Sequence, residues 1–190
     1  KEHFPNCPVV ALTATATHDV EKDIQVQLAM KQPVLIKGSF ERSNLSIRIQ
    51  EKTQVDKQLQ EFLDQQGKLS GIIYSATRKG VETTYANLRD QGFAVERYHA
   101  GMTDQERSHS QHAFLHDNVH LMVATVAFGM GVHKPDIRFI VHLDMPRNIE
   151  QYYQEIGRAG RDGLPAQCLM LYSRQDFFIY KRFLEEVEDP

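Results

Sequence analysis

Apolar positions along the chain recur in two rhythms. Short β-branched runs predict strands at Val9–Leu12, Pro33–Ile36, Leu45–Ile49, Gly71–Ser75, Ala94–Tyr98, Leu121–Thr125, Arg138–His142 and Gln167–Tyr172. The runs at 71–75, 121–125 and 138–142 are nearly continuous in apolar residues, as expected of strands buried on both faces. Between the runs, the spacing lengthens to that of helices. One is predicted from His18 to Met30 with Thr17 as its N-cap, and one over Val55 to Gln65. A third carries Val81, Tyr85 and Leu88 at i, i+4, i+7. A fourth opens on the capping box Thr103-Asp104-Gln105-Glu106, and an acidic one starts at Gln175. Strand and helix alternate regularly, which predicts an α/β fold with a mainly parallel sheet and helices on both faces. The turn-rich stretch Lys37–Asn44 marks a boundary.

One further helix is predicted from an Asn148 cap, with Gln151, to a stop at Gly163 and Pro165. On it Gln154, Arg158 and Arg161 share one stripe, while Ile149, Tyr152, Ile156 and Ala159 take the face to be buried. Gly157 and Gly160 each cost such a helix roughly 1 kcal/mol against alanine, so a close approach of backbone or phosphate is expected there. Two guanidiniums and an amide suit an anionic ligand; a solvated charged face is the plainer alternative.

Bulk properties narrow the choice. The formal net charge of -3 excludes a uniformly basic nucleic-acid binder but leaves room for a local basic groove. Cys7 and Cys168 form neither a CxxC pair nor a disulfide framework, which fits a reducing compartment. No apolar run reaches the length of a membrane span. The chain opens without methionine and runs almost at once into an apolar segment, so it is expected to be a piece of a larger protein.

Ligands of open α/β sheets gather beyond the C-terminal ends of the strands. Ser75-Ala76-Thr77-Arg78-Lys79 stands there with hydroxyls, cations and a helix start, a pattern for a phosphate site or for plain N-capping by Thr77. Tyr98-His99-Ala100-Gly101 follows the next strand; its ring residues suit stacking on or bonding to a nucleotide, or a structural histidine. The long segment from Thr125 to Asp136 bares backbone amides at Gly129 and Gly131 and contains Pro135. It lacks the third glycine and the following helix of a dinucleotide fingerprint. His109, His112 and His116 share a helical face, but no carboxylate or cysteine completes a metal site there, so no metal is predicted. No G-x-S-x-G elbow supplies a nucleophile.

Taken in order, these segments resemble the RecQ family of ATP-dependent DNA helicases over nearly the whole chain. Leu12-Thr13-Ala14-Thr15-Ala16 is similar to the family's motif III, and Ser39-Phe40-Glu41-Arg42-Ser43-Asn44-Leu45 to its entry into the second lobe. Ile72 to Arg78 resembles motif IV, Tyr98 to Gly101 the segment after it, and Ala124 to Gly131 motif V. Tyr152-Tyr153 with Gln154 to Gly163 resembles motif VI. Ser43, Ala76 and His133 depart from the usual residues of the family. The G-x-x-x-x-G-K-[ST] loop and the acidic box are absent, as is the cysteine set of the zinc module that follows in the family.

The resemblance implies a RecA-like three-layer lobe, with residues 1–38 as the tail of the first lobe and 39–190 as the second. It implies ATP and Mg²⁺ held mainly by the missing lobe, and zinc only in an absent downstream module. Arg161, with Arg158 beside it, would act as arginine finger, or Arg158 as a tether between lobes, and Gln154 would sense the nucleotide. Gly129, Gly131 and Asp136 would couple ATP to DNA, while Ser75, Thr77, Arg78, His99 and Thr125 would grip single-stranded or partly duplex DNA. The implied activity is 3′ to 5′ unwinding in recombination and repair, without a membrane. It would be cytoplasmic in a bacterium and nuclear in a eukaryote. A DEAD-box RNA helicase is disfavoured, because Gln154-Glu155-Ile156-Gly157-Arg158 replaces that group's His-Arg-x-Gly-Arg.

Overall fold

The computed structural model describes residues 7–13, 18–36, 38, 41–129 and 132–176. The chain divides into two compact units, Lys1–Arg42 and Ser43–Pro190. In the first, the predicted helix forms as α1 (His18–Gln27). The strands expected at Val9–Leu12 and Pro33–Ile36 do not form, and Leu12, Val34 and Ile36 are almost wholly exposed. A β-branched run becomes a strand only when a neighbour completes its hydrogen-bond ladder, and the described residues of this unit offer none.

The second unit is built on a six-stranded, wholly parallel sheet. Its strands are β1 (Leu45–Glu51), β2 (Gly71–Tyr74), β3 (Val95–Tyr98), β4 (Leu121–Ala124), β5 (Phe139–His142) and β6 (Ala166–Tyr172). They lie in the order β1-β6-β5-β2-β4-β3. The strands β2, β4 and β5 are central and buried at every residue, which is why they read as continuous apolar runs. On one face Ile73, Val123 and Val141 pack under α2 (Val55–Gln66) and α3 (Arg78–Asp90), through Leu59, Phe62, Leu63, Val81 and Leu88. On the other, Ile72, Met122 and Ile140 pack under α4 (Asp104–Leu115) and α5 (Ile149–Ile156). That second face is also covered by Phe128, Val132 and Ile137, from the segment joining β4 to β5. The result is the expected three-layer α/β architecture.

Local signals set the helix starts. The Thr103–Glu106 capping box is complete, with both reciprocal bonds present. Asn148 Oδ1 accepts from the Gln151 amide at 2.8 Å and opens α5.

The far end of α5 differs from the prediction. The helix stops at Ile156, Gly157 is its C-cap, and residues 157–162 form turns. Two glycines in four residues weaken the helix, and the Gly160 amide bonds Ile137 O at 2.8 Å instead of continuing the ladder. Gly160 then takes a φ of +56°, which reverses the chain. Gln154, Arg158 and Arg161 therefore share no helical stripe. Ile149, expected to be buried, is 60% exposed at the first helical residue, whereas Tyr152, Ile156 and Ala159 are buried as predicted. The terminal helix expected from Gln175 lies mostly outside the described residues, as do Thr17 and Gly131. No helix among the described residues is long and apolar enough to cross a membrane.

Candidate functional site

The predicted residues fall at two places in the lobe. At the C-terminal ends of the central strands, the parallel register brings Ser75, Thr125 and His99 into one row. The Ser75 amide donates to Ala124 O at 2.9 Å and the Thr125 amide to Tyr98 O at 3.1 Å. Ser75 Oγ and the Ala76 amide both donate to Asp144 Oδ2, at 3.1 and 2.8 Å. Lys52 Nζ balances that carboxylate from 2.8 Å and bonds Asp176 from 2.7 Å. Thr77 Oγ1 accepts from the Gly80 amide at 3.0 Å, so its capping role is realised. Arg78, exposed at the start of α3, lies across Gly101, where a Cβ would come within 3.3 Å of its Cδ and Nη1.

His99 is buried and both of its ring nitrogens are engaged. Nδ1 accepts from the Gly101 amide at 3.1 Å, so the proton sits on Nε2 and is donated to Glu82 Oε1 at 2.8 Å. Arg97 Nε reaches the same oxygen at 2.8 Å. Burial pushes the Glu82 carboxyl up, but the bonds from His99 and Arg97 outweigh it and hold the group below the usual carboxylate range. Two residues that drew no attention in the sequence form a buried pair beside this row. His142 Nε2 lies 2.7 Å from Glu155 Oε2, and Gln151 Nε2 donates to the other Glu155 oxygen at 2.9 Å. The Tyr74 ring stacks on His142 at 5.3 Å, and burial drives its hydroxyl well above the ordinary tyrosine range. The neighbouring Tyr152 hydroxyl is pushed up to about 12, again by burial.

The turn that carries the arginines lies at the strand entries, but the Arg158 side chain reaches back to Tyr74, the last residue of β2 and the neighbour of Ser75. From α5 the chain returns to the entry of β6, and the turn at 157–165 sits beside the entry of β5. Phe128, Val132 and Ile137, from the described parts of the β4–β5 segment, cover the buried face between the two places. Arg158 Nη1 donates to Gly129 O at 2.5 Å, and Arg161 Nη1 to Val132 O at 3.1 Å. Gly129 has a φ of +143°, and a Cβ there would overlap the Arg158 guanidinium, so only glycine fits. Arg158 is half-buried, whereas Arg161 and Gln154 are exposed. Asp136 pairs at 3.2 Å with Lys134, a buried ammonium that also reaches Asp117 at 2.6 Å. Among the described residues no group of three or more His, Cys, Asp or Glu could hold a metal ion. Asn44, Arg138 and Lys134 have partners remote in sequence or inside a loop, and no local pattern announces them.

Residues 54–163 match the helicase conserved C-terminal domain family. The chain belongs to this family. As a helicase C-terminal domain it is similar along its whole length to proteins named ATP-dependent DNA helicase RecQ. That of Pasteurella multocida is 46% identical over 192 residues, covering 100% of this chain and 30% of the relative. That of Haemophilus influenzae is 45% identical over 192 residues, covering 100% of this chain and 31% of the relative. The domain thus spans about a third of the curated relatives it matches. In fold it is similar to Saccharomyces cerevisiae Dbp5 bound to RNA and ADP BeF3, with a TM-score of 0.74 and 19% identity over 94% of this chain and 48% of that chain. The fold is that of a RecA-like helicase C-terminal lobe.

Proposed function

We propose that this domain is the second motor lobe of an ATP-dependent DNA helicase of the RecQ type, with residues 1–38 as the tail of the first lobe and 39–190 as the second. ATP lies between the two lobes, and Mg²⁺ comes with it on the first lobe. Arg161 acts as the arginine finger, and Arg158 and Gln154 flank the nucleotide. Ser75, Thr77, Arg78, His99 and Thr125 form part of the track for single-stranded or partly duplex DNA. Gly129, Gly131 and Asp136 couple the two sites. Closure on ATP and reopening after hydrolysis drive 3′ to 5′ stepping, in the service of recombination and repair. The zinc module lies downstream, and the whole protein works in the bacterial cytoplasm or, in a eukaryote, the nucleus.

The observation that carries this reading is the path of one segment. It leaves the strand-end row at Thr125 and supplies the Gly129 and Val132 carbonyls that receive Arg158 and Arg161. A shift of the row is thereby passed to the arginines through this stretch of chain and the two hydrogen bonds at its carbonyls. Beside the buried Ser75, His99 and Thr125, the exposed Thr77 and the Arg78 guanidinium at the start of α3 present chemistry that suits a sugar–phosphate backbone read without regard to sequence. An exposed guanidinium suits charge developing on a transferred phosphoryl group.

The test is Arg161→Ala in the full-length protein. DNA-stimulated ATP turnover is expected to fall by about 10²-fold or more, since fingers in other phosphoryl-transfer systems are worth roughly 10³–10⁵. ATP binding should change only a few-fold. A non-catalytic binding module would show unchanged turnover. The chain by itself is expected to hydrolyse no ATP, and magnesium-dependent turnover by the purified chain would overturn the two-lobe reading.

A further inference from the structure

We propose that Asn44 and Arg138 are positioning residues for the turn that carries Arg161, a role that rests on the reading of Arg161 as the finger. The two residues adjoining Arg161 are gripped from outside the turn. The Asn44 side-chain amide donates to Gly160 O and to Leu164 O, each at 2.9 Å, spending one N–H on each. Its backbone oxygen also accepts from the Ala166 amide at 2.9 Å. Gly160 leaves space for this amide: a Cβ there would overlap Asn44 Nδ2 and crowd Leu164 O. Asp162, on the other side of Arg161, is held by Arg138, whose Nη2 lies 2.7 Å from each carboxylate oxygen. Arg138 also donates to Asp136 O at 3.0 Å, Pro135 O at 3.2 Å and Pro165 O at 3.3 Å. The Asp162 carboxylate returns to its own turn and accepts from the Leu164 amide at 3.1 Å.

These bonds are separate from the sheet. The β1–β6 and β5–β6 ladders run in full backbone register, so sheet order does not depend on the Asn44 amide or the Arg138 guanidinium. What the two side chains fix is the height and direction of the turn. Both grip the residues that flank Arg161, so their effect on the finger passes through the turn. A displacement of about 1 Å at a reacting group costs roughly 10²-fold in rate. Lysine cannot reproduce the Arg138 contacts, because its single nitrogen cannot fan across separate carbonyls and a carboxylate.

The experiment uses the full-length protein and measures single-strand-stimulated ATP turnover, the KM for ATP, DNA affinity and the melting midpoint. Asn44→Asp keeps the side-chain shape but faces an oxygen toward two carbonyls; Arg138→Lys keeps the charge. Each is expected to lower kcat by about 10- to 100-fold, with the KM for ATP and the DNA affinity within about threefold. Combined with Arg161→Ala, neither should lower kcat further. Equal losses in the wild-type and Arg161→Ala backgrounds would overturn the positioning role and leave the finger intact. An unchanged kcat in both single variants would overturn it too. Should Arg161→Ala itself leave kcat unchanged, the finger reading fails and this inference with it. If Asn44→Asp does not fold, Asn44→Gln keeps the donors but moves them by one methylene, and the same kcat loss is expected of it.

Discussion

The two ends of the sheet place their residues by different means. At the C-terminal ends, Ser75, Thr125 and His99 are aligned by the backbone ladder, one strand spacing of about 4.8 Å apart. Each simply follows its apolar run. At the other end, the turn that carries Arg158 and Arg161 is set by side-chain and carbonyl contacts that cross 29, 116 and 24 positions of sequence. A site aligned by ladders tolerates changes in individual side chains. One aligned by a few long-range side chains depends on each of them.

Glycine substitutions in the arginine turn sharpen this contrast most. Gly160 and Gly163 both have positive φ, +56° and +83°, but only Gly160 is crowded by Asn44 and Leu164 O. Gly163→Ala is expected to cost about 1 kcal/mol, the ordinary price of a left-handed alanine. Gly160→Ala should cost about 1–3 kcal/mol more, from the overlap. Urea unfolding of the chain measures both, and equal losses would show that the Asn44 contact does not shape the turn.

A smaller effect is expected in the strand-end row. Thr77→Ala removes the cap of α3 and should cost about 1 kcal/mol. Thr77→Asp keeps the cap and the stability while presenting a negative charge to the proposed DNA track. A loss of DNA affinity with unchanged stability is therefore expected of the aspartate variant. Stability and affinity falling together in both variants would break the separation between scaffold and contact.

The smallest effect is a matter of pH. The Arg138 hydrogen bonds hold the Asp162 carboxyl below its usual range, so its pKa is lower folded than unfolded. Its contribution to stability is therefore complete above the unfolded value, about 4, and is lost as the pH falls through the lower folded one. Asp162→Asn should therefore lower the melting temperature slightly at neutral pH and leave it little changed well below about pH 4, so that the acid limb flattens as the two proteins converge. At the other end Glu82→Gln should do the same, because the Glu82 carboxyl is also held low. An acid limb unchanged by Asp162→Asn would mean that the pair does not form in solution.

The sheet was legible because burial on both faces leaves an apolar run that no turn or surface helix imitates. The strand-end motifs were legible for a related reason, since the ladder converts sequence position directly into place. The end of α5 was not, because the bond that stops it joins Gly160 to Ile137, a partner supplied by tertiary structure. The exposed runs at Val9–Leu12 and Pro33–Ile36 carry a strand's composition without a strand's neighbour. Asn44 and Arg138 look like ordinary polar residues at the edges of strands, and their role emerges only once β1, β5 and β6 lie side by side.

The segment between β4 and β5 occupies ground that a helix would ordinarily cover, yet none of its described residues is helical. It is fastened to the core by three studs, Phe128, Val132 and Ile137, each at most 4% exposed. A strap fastened this way cannot creep: sliding it would unseat a stud and open a close-packed interior. Under the proposed coupling, its motion is confined to jumps between seated positions, so a signal along it should arrive as a click rather than a gradient.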